Sequence, residues 1–275
     1  MKIAFIGGGN MATALIAGLV KDGGASVQVH VVDPNPDALE RMVTQYGAST
    51  STVIDAAVAE VDVIVLAVKP QQMREVATTL ATALAPHLAA GPLVLSIAAG
   101  IRGADLSRWL GGYGAIVRTM PNTPALIGMG ITGMVALEGV SESQRAAADN
   151  VLRAVGQTVW LIDEALIDPV TAVSGSGPAY VFYFLEAMQA AAVEMGLSEE
   201  QGKQLALATF AGATELAAQS GDSLAVLRQR VTSKGGTTHA AISSMETAGV
   251  KAAIGEAMKA AAARGRALGD ELGAD

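Results

Sequence analysis

The sequence predicts an α/β protein in two parts: a doubly wound, mostly parallel sheet over residues 1–162, then helices alone over 163–275. Three observations predict it. A short apolar run, Ile3-Ala4-Phe5-Ile6, ends in three glycines and opens directly into a helical pattern from Met11 to Val20. Strand-like and helix-like segments then alternate to about Asp163. Beyond that residue the strand-like runs stop.

The first segment carries chemistry as well as fold. Its fingerprint is Gly7-x-Gly9-x-x-Ala12. Gly7 suits the tight turn off the strand, Gly9 lets a pyrophosphate approach the backbone, and Ala12 lets the helix pack close on the strand. The helix N-terminus at Asn10 and Met11 presents free N–H groups and partial positive charge to that pyrophosphate. Asp33 closes the next apolar run, Val27 to Val32, about 20 residues beyond the fingerprint, where a carboxylate meets an adenosine ribose. The uncharged stretch from Ile3 to Val20 follows Lys2 as a secretory leader would, but Gly7 to Asn10 breaks the apolar core a leader needs.

The remaining elements follow in order. Asn35-Pro36 reads as an N-cap and a first-turn proline opening a helix to about Tyr46. Val61 to Val68 is rich in β-branched residues and reads as a central buried strand. Lys69-Pro70 ends it, and Gln71 to Leu84 reads as a helix. Strands are expected at Leu93–Ile97, Ala115–Met120, Gly130–Leu137 and Val159–Ile162. Ser141-x-x-Gln144 is a capping box that starts a helix to about Val155. In the second part, Ser198-x-x-Gln201 is another capping box, with its helix stopped at Gly221. A helix from about Thr237 stops at Gly249. The last, from Val250, puts Val250, Ile254, Met258, Ala261, Leu268 and Leu272 on one face.

Composition narrows the function. Hydrophobic residues make up 51% of the 275, enough for a sizeable core, and the net charge of −8 argues against a nucleic-acid partner. There are no cysteines and three histidines, which leaves no thiolate metal site and little room for a histidine one. The later apolar runs are interrupted, so no membrane span is expected, and a cytoplasmic location is.

Ligands of an open α/β sheet sit beyond the carboxyl ends of its strands. Lys69-Pro70-Gln71, Ala98-Ala99-Gly100 and Met120-Pro121-Asn122-Thr123 end strands there and are candidates for the nicotinamide half. The second part has two dense segments, Ser174 to Tyr180 and Val231 to His239. In the latter, Gly235-Gly236 precedes a helix and leaves backbone N–H groups free, a nest for a carboxylate or phosphate. Thr237 and Thr238 add hydroxyls. Spacing alone leaves an ordinary helix cap equally open. His239 reads as a local hydrogen-bond partner.

Five segments together resemble the pyrroline-5-carboxylate reductases: Gly7 to Ala12, Ala67-Val68-Lys69-Pro70, Arg118 to Pro124, Ser174 to Tyr180, and Val231 to Thr238. They run in order along essentially the whole chain, and the threonine-serine-x-glycine-glycine-x-threonine pattern at 232–238 is the most specific. The resemblance implies a Rossmann domain, then a helical domain that dimerises and often assembles into decamers. It implies reduction of a cyclic imine to L-proline with NADPH or NADH, the last step of proline biosynthesis. It assigns the substrate carboxylate to Ser233, Gly235, Gly236, Thr237 and Thr238, and the imine nitrogen to Thr238. For the cofactor it implies Asn10, Lys69, Pro70, Ala98 and Asn122, which join Gly7, Gly9, Met11, Ala12 and Asp33 of the fingerprint, with Asn35, Ala67 and Val68 beside them. Lys234 stands where many relatives have proline. Asp33 departs from the small or polar residue of many NADPH-using members, which leaves the choice of cofactor open and predicts NADH used at least comparably to NADPH.

The chemistry matches what the sequence lacks. A protonated imine is already electrophilic and needs orientation more than a strong acid or base. The related 3-hydroxy-acid dehydrogenases use a lysine on the helix after the glycine-rich segment, and Ser174 to Met195 contains none. A non-enzymatic dinucleotide sensor would leave the Val231–Thr238 pattern without a purpose.

Overall fold

The computed structural model describes residues 1–23, 26–87 and 91–274. The N-terminal part is one sheet of eight strands: β1 (Lys2–Ile6), β2 (Gln28–Val32), β3 (Ser49–Ser51), β4 (Val63–Leu66), β5 (Leu93–Ser96), β6 (Ile116–Met120), β7 (Gly130–Ala136) and β8 (Gly156–Trp160). Their order is β3-β2-β1-β4-β5-β6-β7-β8. Every pairing is parallel except β6 with β7.

The period-2 alternation of the strands builds two cores, one on each face. Ile3, Phe5, Val63, Val65, Leu93 and Leu95 enter one; Ala4, Ile6, Ile64, Leu66 and Val94 enter the other. Helices α1 (Asn10–Gly23) and α5 (Glu142–Arg153) cover the first, through Leu15, Ile16, Val151 and Leu152. Helices α3 (Met73–Leu84) and α4 (Gly103–Trp109) cover the second, through Met73, Leu80 and Leu106. Each fully buried aliphatic side chain contributes roughly 1.5–3 kcal/mol.

Caps fix the helix starts. Helix α2 (Pro36–Tyr46) has Asn35 as N-cap, its side chain accepting from Asp37 N–H at 3.0 Å. Both capping boxes form, at Ser141 with Gln144 and at Ser198 with Gln201. The expected strand at Val159–Ile162 instead begins at Gly156. There a Cβ would stand 2.0 Å from the Gly130 carbonyl oxygen, so only glycine allows the pairing. An edge strand tolerates the polar Gln157 and Thr158 that hide it from an apolar pattern. Strand β3, Ser49-Thr50-Ser51, is hidden for the same reason.

Past the sheet run α6 (Ile167–Val170), a π-helical turn over Thr171–Gly175, α7 (Gly177–Glu194), α8 (Glu199–Gln219), α9 (Leu224–Arg230), α10 (Thr237–Thr247) and α11 (Val250–Gly273). By packing, Met1–Ser176 and the residues from Ala260 onward form one unit, and Gly177–Lys259 forms another. The sheet ends at Trp160, but the turns up to Ser176 and the last turns of α11 pack with it.

The face expected on α11 packs at its C-terminal end, where Leu268 and Leu272 lie 3.3 Å from the place of a Gly100 Cβ and Leu272 joins the second core. Between them Gly269 is buried, with a Cβ there 3.0 Å from the Arg102 guanidinium, and only Ile254 of the face is exposed. Within the second unit α7 and α8 approach closely at Gly202, where a Cβ would stand 3.0 Å from the Ala192 Cβ. Among the described residues no helix is long and apolar enough to cross a membrane.

Candidate functional site

The glycine loop is built from the ends of β1, β2 and β4. Gly7 has φ +103, and a Cβ there would lie 2.7 Å from the Ala67 carbonyl oxygen. Glycine is required for both reasons. Gly7 N–H donates to Val32 O at 2.8 Å and Ala67 N–H to Ile6 O at 2.8 Å, so the three strand ends meet at this turn. At Gly9 a Cβ would meet nothing within 4 Å. That open side of an exposed backbone is the cradle a pyrophosphate needs. Thr13 N–H makes the first helical bond, to Gly9 O at 2.9 Å. The N–H groups of Asn10, Met11 and Ala12 precede it and are the unpaired donors of the helix start.

Asp33 has a role the spacing did not show. Its Oδ2 accepts from Gly8 N–H at 2.7 Å and its Oδ1 from Asn35 N–H at 2.8 Å. It therefore clamps the glycine loop to the end of β2 while remaining part-exposed. Asn35 is engaged by its own cap on α2.

A cleft of about 520 Å³ opens here, lined by Gly7, Gly9, Asp33, Ala67, Val68 and Lys69 among others. Such a volume lies within the usual range for ligand pockets. Its other wall was missed from sequence: Val53 and Ile54 after β3, with Gln72, Glu75, Val76 and Thr79 along α3 and the turn before it. The signal existed, since 72, 75, 76 and 79 are one helical face. Pro70 opens that turn, following Lys69 in extended conformation.

Farther along the sheet, Ala98 lies beyond β5 and Asn122 beyond β6. Asn122 Oδ1 accepts from Ile131 N–H at 3.0 Å, leaving its NH₂ as the group offered outward. Behind it, Thr119 donates to Ser96 O at 2.9 Å and ties β6 to β5. Arg118, 5% exposed, pairs with Glu164 at 2.7 Å.

In the helical unit, the turn before α10 has Gly235 at φ +76 and Gly236 as N-cap with no side-chain cap bond. Gly236 N–H donates to Ser233 O at 3.0 Å, so it is not one of the free donors. Its missing Cβ makes room for the Ser233 hydroxyl, which would lie 2.7 Å away. The first helical bond is Ala240 N–H to Gly236 O, at 3.1 Å. The N–H groups of Thr237, Thr238 and His239 are therefore unpaired in the helix. A serine or threonine cap would have satisfied one of them; the structure has glycine in that position. His239, with Arg228 and Glu246, lines a separate cleft of about 340 Å³ in this unit.

The arrangement offers a dinucleotide cradle on the sheet unit and an anion nest on the helical one. Among the described residues no group of three or more His, Cys, Asp or Glu is placed to hold a metal.

Comparison with known proteins decides the family. The family model for pyrroline-5-carboxylate reductase dimerisation matches residues 164–268. The one described as NADP oxidoreductase coenzyme F420-dependent matches residues 2–100. The chain is 45% identical over 272 residues to a pyrroline-5-carboxylate reductase of Pseudomonas aeruginosa, covering 99% of this chain and 98% of that one. The chain belongs to the pyrroline-5-carboxylate reductase family. The solved pyrroline-5-carboxylate reductase of Coxiella burnetii has a TM-score of 0.90 at 38% identity, over 97% of each chain. The Plasmodium falciparum pyrroline carboxylate reductase, solved with NADP bound, has a TM-score of 0.83 at 27% identity, over 98% of each. A pyrroline-5-carboxylate reductase is thus similar to this chain in both units, and the dimerisation match covers the helices that carry the nest.

Proposed function

We propose that this chain reduces L-1-pyrroline-5-carboxylate to L-proline with NADPH or NADH, the last step of proline biosynthesis. The observation that carries the reading is the pair of sites, a cradle open at Gly9 and a helix start at Thr237–His239 with no side-chain cap. Relatives named for this activity match at 45% and 40% identity over nearly the whole chain.

The glycine-loop residues fit a dinucleotide, since the open side of Gly9 and the N–H groups of Asn10, Met11 and Ala12 suit its pyrophosphate. When bound, the reduced nicotinamide supplies the hydride that the C=N carbon receives. The chain's own work is to bind, orient and exclude water. Val68, Lys69, Ala98 and Asn122 line the path from the glycine loop towards the nicotinamide half. The free N–H groups at Thr237 and Thr238, with Ser233 and the Gly235 turn, hold the substrate carboxylate. The Thr238 hydroxyl makes no hydrogen bond among the described residues and is the group for the imine nitrogen.

Charge favours NADH. The charged residues of the cleft lining are Asp33, Glu75 and Lys69, with no arginine among the described residues there. A 2′-phosphate would meet the Asp33 carboxylate, whereas a ribose hydroxyl donates to it. The enzyme is read as a cytoplasmic dimer, joined through the helical unit and arranged in a larger ring such as a decamer. We divide its roles as a cofactor domain over 1–162 and a substrate and dimerisation domain over 163–275.

The test is imine-dependent oxidation of NADH and NADPH by the purified enzyme. Turnover with both and at least comparable use of NADH is expected; no oxidation with either would overturn the reading.

A further inference from the structure

The sheet unit holds another cavity, of about 270 Å³, away from the glycine loop. Three arginines, Arg102, Arg118 and Arg266, line it together with two carboxylates, Glu164 and Asp168. Gly265 and Gly269, one helical turn apart on α11, leave the space that side chains would fill.

The charged groups are only half used. Glu164 accepts through one oxygen, Oε1, from both Gly103 N–H at 2.6 Å and Arg118 Nη1 at 2.7 Å. Its second oxygen makes no hydrogen bond among the described residues. Arg118 is 5% exposed, and its Nε is buried without a partner. A guanidinium carries five N–H donors, and leaving one buried and unmade is costly. Asp168 meets Arg266 loosely, at 3.7 Å. Arg102 is held by Asp270 at 2.5 Å through one nitrogen.

These groups select by charge. A simple anion drawn to the arginines meets Glu164 and Asp168. A simple cation drawn to the carboxylates meets three guanidinium groups. A small molecule carrying both charges satisfies both sets at once, and the volume admits one the size of a small amino acid. We propose that this cavity is a second ligand site, for a small zwitterionic α-amino acid, with its carboxylate on Arg118 and Arg102 and its ammonium on Glu164 and Asp168. The site lies wholly within the sheet unit and does not depend on the substrate reading of the helical unit.

The test is equilibrium dialysis of the full-length protein with labelled L-proline. Two uncharged-end analogues of the same ring serve as competitors: tetrahydrofuran-2-carboxylate, an anion only, and pyrrolidine, a cation only. Two variants probe the cavity. Gly265→Leu fills it, since a Cβ there stands 3.4 Å from Asp168 Oδ1, an ordinary contact, and leucine favours the helix over glycine. Asp168→Asn removes one charge. L-proline is also the product of the catalytic site, so the number of sites per chain separates the two, with Thr238→Ala as the variant that leaves the cavity untouched.

Two L-proline sites per chain in the parent and in Thr238→Ala, one in Gly265→Leu, and a cavity site weakened at least tenfold in Asp168→Asn are expected. Neither competitor should displace L-proline from the cavity site at equal concentration. Cofactor affinity and thermal unfolding of Gly265→Leu should match the parent, showing that it folds. One site per chain in the parent, two in Gly265→Leu, or displacement from both sites by the carboxylate alone would each overturn the proposal.

Discussion

The sheet unit and the helical unit treat the same residue types in opposite ways. Phe5, on β1, is fully buried, whereas Phe182, on α7, is 65% exposed. The sheet closes both of its faces with its own helices. The helical unit buries small residues, such as Ala192 and Ala206, and leaves Tyr183, Met195 and Leu224 72–78% exposed. One chain therefore completes one core and leaves a second set of large apolar side chains exposed. Apolar surface of that kind marks an interaction face, and the dimerisation match over residues 164–268 covers the helices that carry it. The difference also separates two tasks. The proposed cofactor cradle lies on the unit that closes its own core, and the proposed nest on the unit that leaves large apolar side chains exposed.

The strongest way to break this comparison is to charge the exposed face. Phe182→Glu with Tyr183→Glu should abolish self-association and nearly all activity, while the sheet unit stays folded. Light scattering would then report the 27.8 kDa monomer. An active monomer of that mass would remove the link between assembly and the nest.

A matched pair of truncations sharpens it. Phe5→Ala should cost about 3–5 kcal/mol, as large-to-small changes in a closed core do. That cost should not depend on protein concentration. Phe182→Ala should lower Tm more at low concentration than at high, because its burial comes from association. Thermal unfolding across a dilution series distinguishes the two.

Within the sheet unit, two glycines divide fold from function. Gly7→Ala combines positive φ with a 2.7 Å approach to the Ala67 oxygen and should destabilise the loop and weaken cofactor together. Gly9→Ala meets nothing within 4 Å and should leave Tm unchanged. It should raise the cofactor Kd by about tenfold, a loss of about 1.4 kcal/mol. Equal cofactor affinity in Gly9→Ala would remove the pyrophosphate from that backbone.

Asp33→Ser tests the loop clamp and the cofactor choice together. It should move the kcat/KM ratio towards NADPH by roughly tenfold, about 1.4 kcal/mol of discrimination. It also removes the two bonds from Gly8 and Asn35, so stability should fall by about 1–2 kcal/mol. A parent enzyme that prefers NADPH by orders of magnitude would contradict the charge argument.

Most of the sheet was legible in the sequence because buried parallel strands are continuous apolar runs punctuated by glycine and proline. Ile3–Ile6 and Leu93–Ser96 are of that kind. The edges were not, since β3 and the start of β8 are polar and are held by backbone pairing rather than by side chains. The glycine loop was legible as a cradle, but the clamp that Asp33 makes on Gly8 was not, because it depends on how two strand ends meet in space. The far wall of the cleft was spelled out at helical spacing on α3 and went unread for lack of any chemical motif. At the nest, spacing left site and cap undecided. Glycine at the cap, with both threonine hydroxyls unengaged, favours the site.

The most direct measurement is steady-state kinetics on Thr238→Ala and Thr238→Ser, with cofactor affinity determined separately. Loss of one hydrogen bond at a polar site costs about 1–3 kcal/mol, which is roughly tenfold to a hundredfold in rate when the bond is made in the transition state. Thr238→Ala should lower kcat/KM for the imine by that factor and leave the NAD(P)H Kd unchanged, because Thr238 is on the helical unit and the glycine loop is not. Thr238→Ser should keep most of the activity, since it keeps the hydroxyl. Full activity in Thr238→Ala would contradict the placement of the imine on the helical unit.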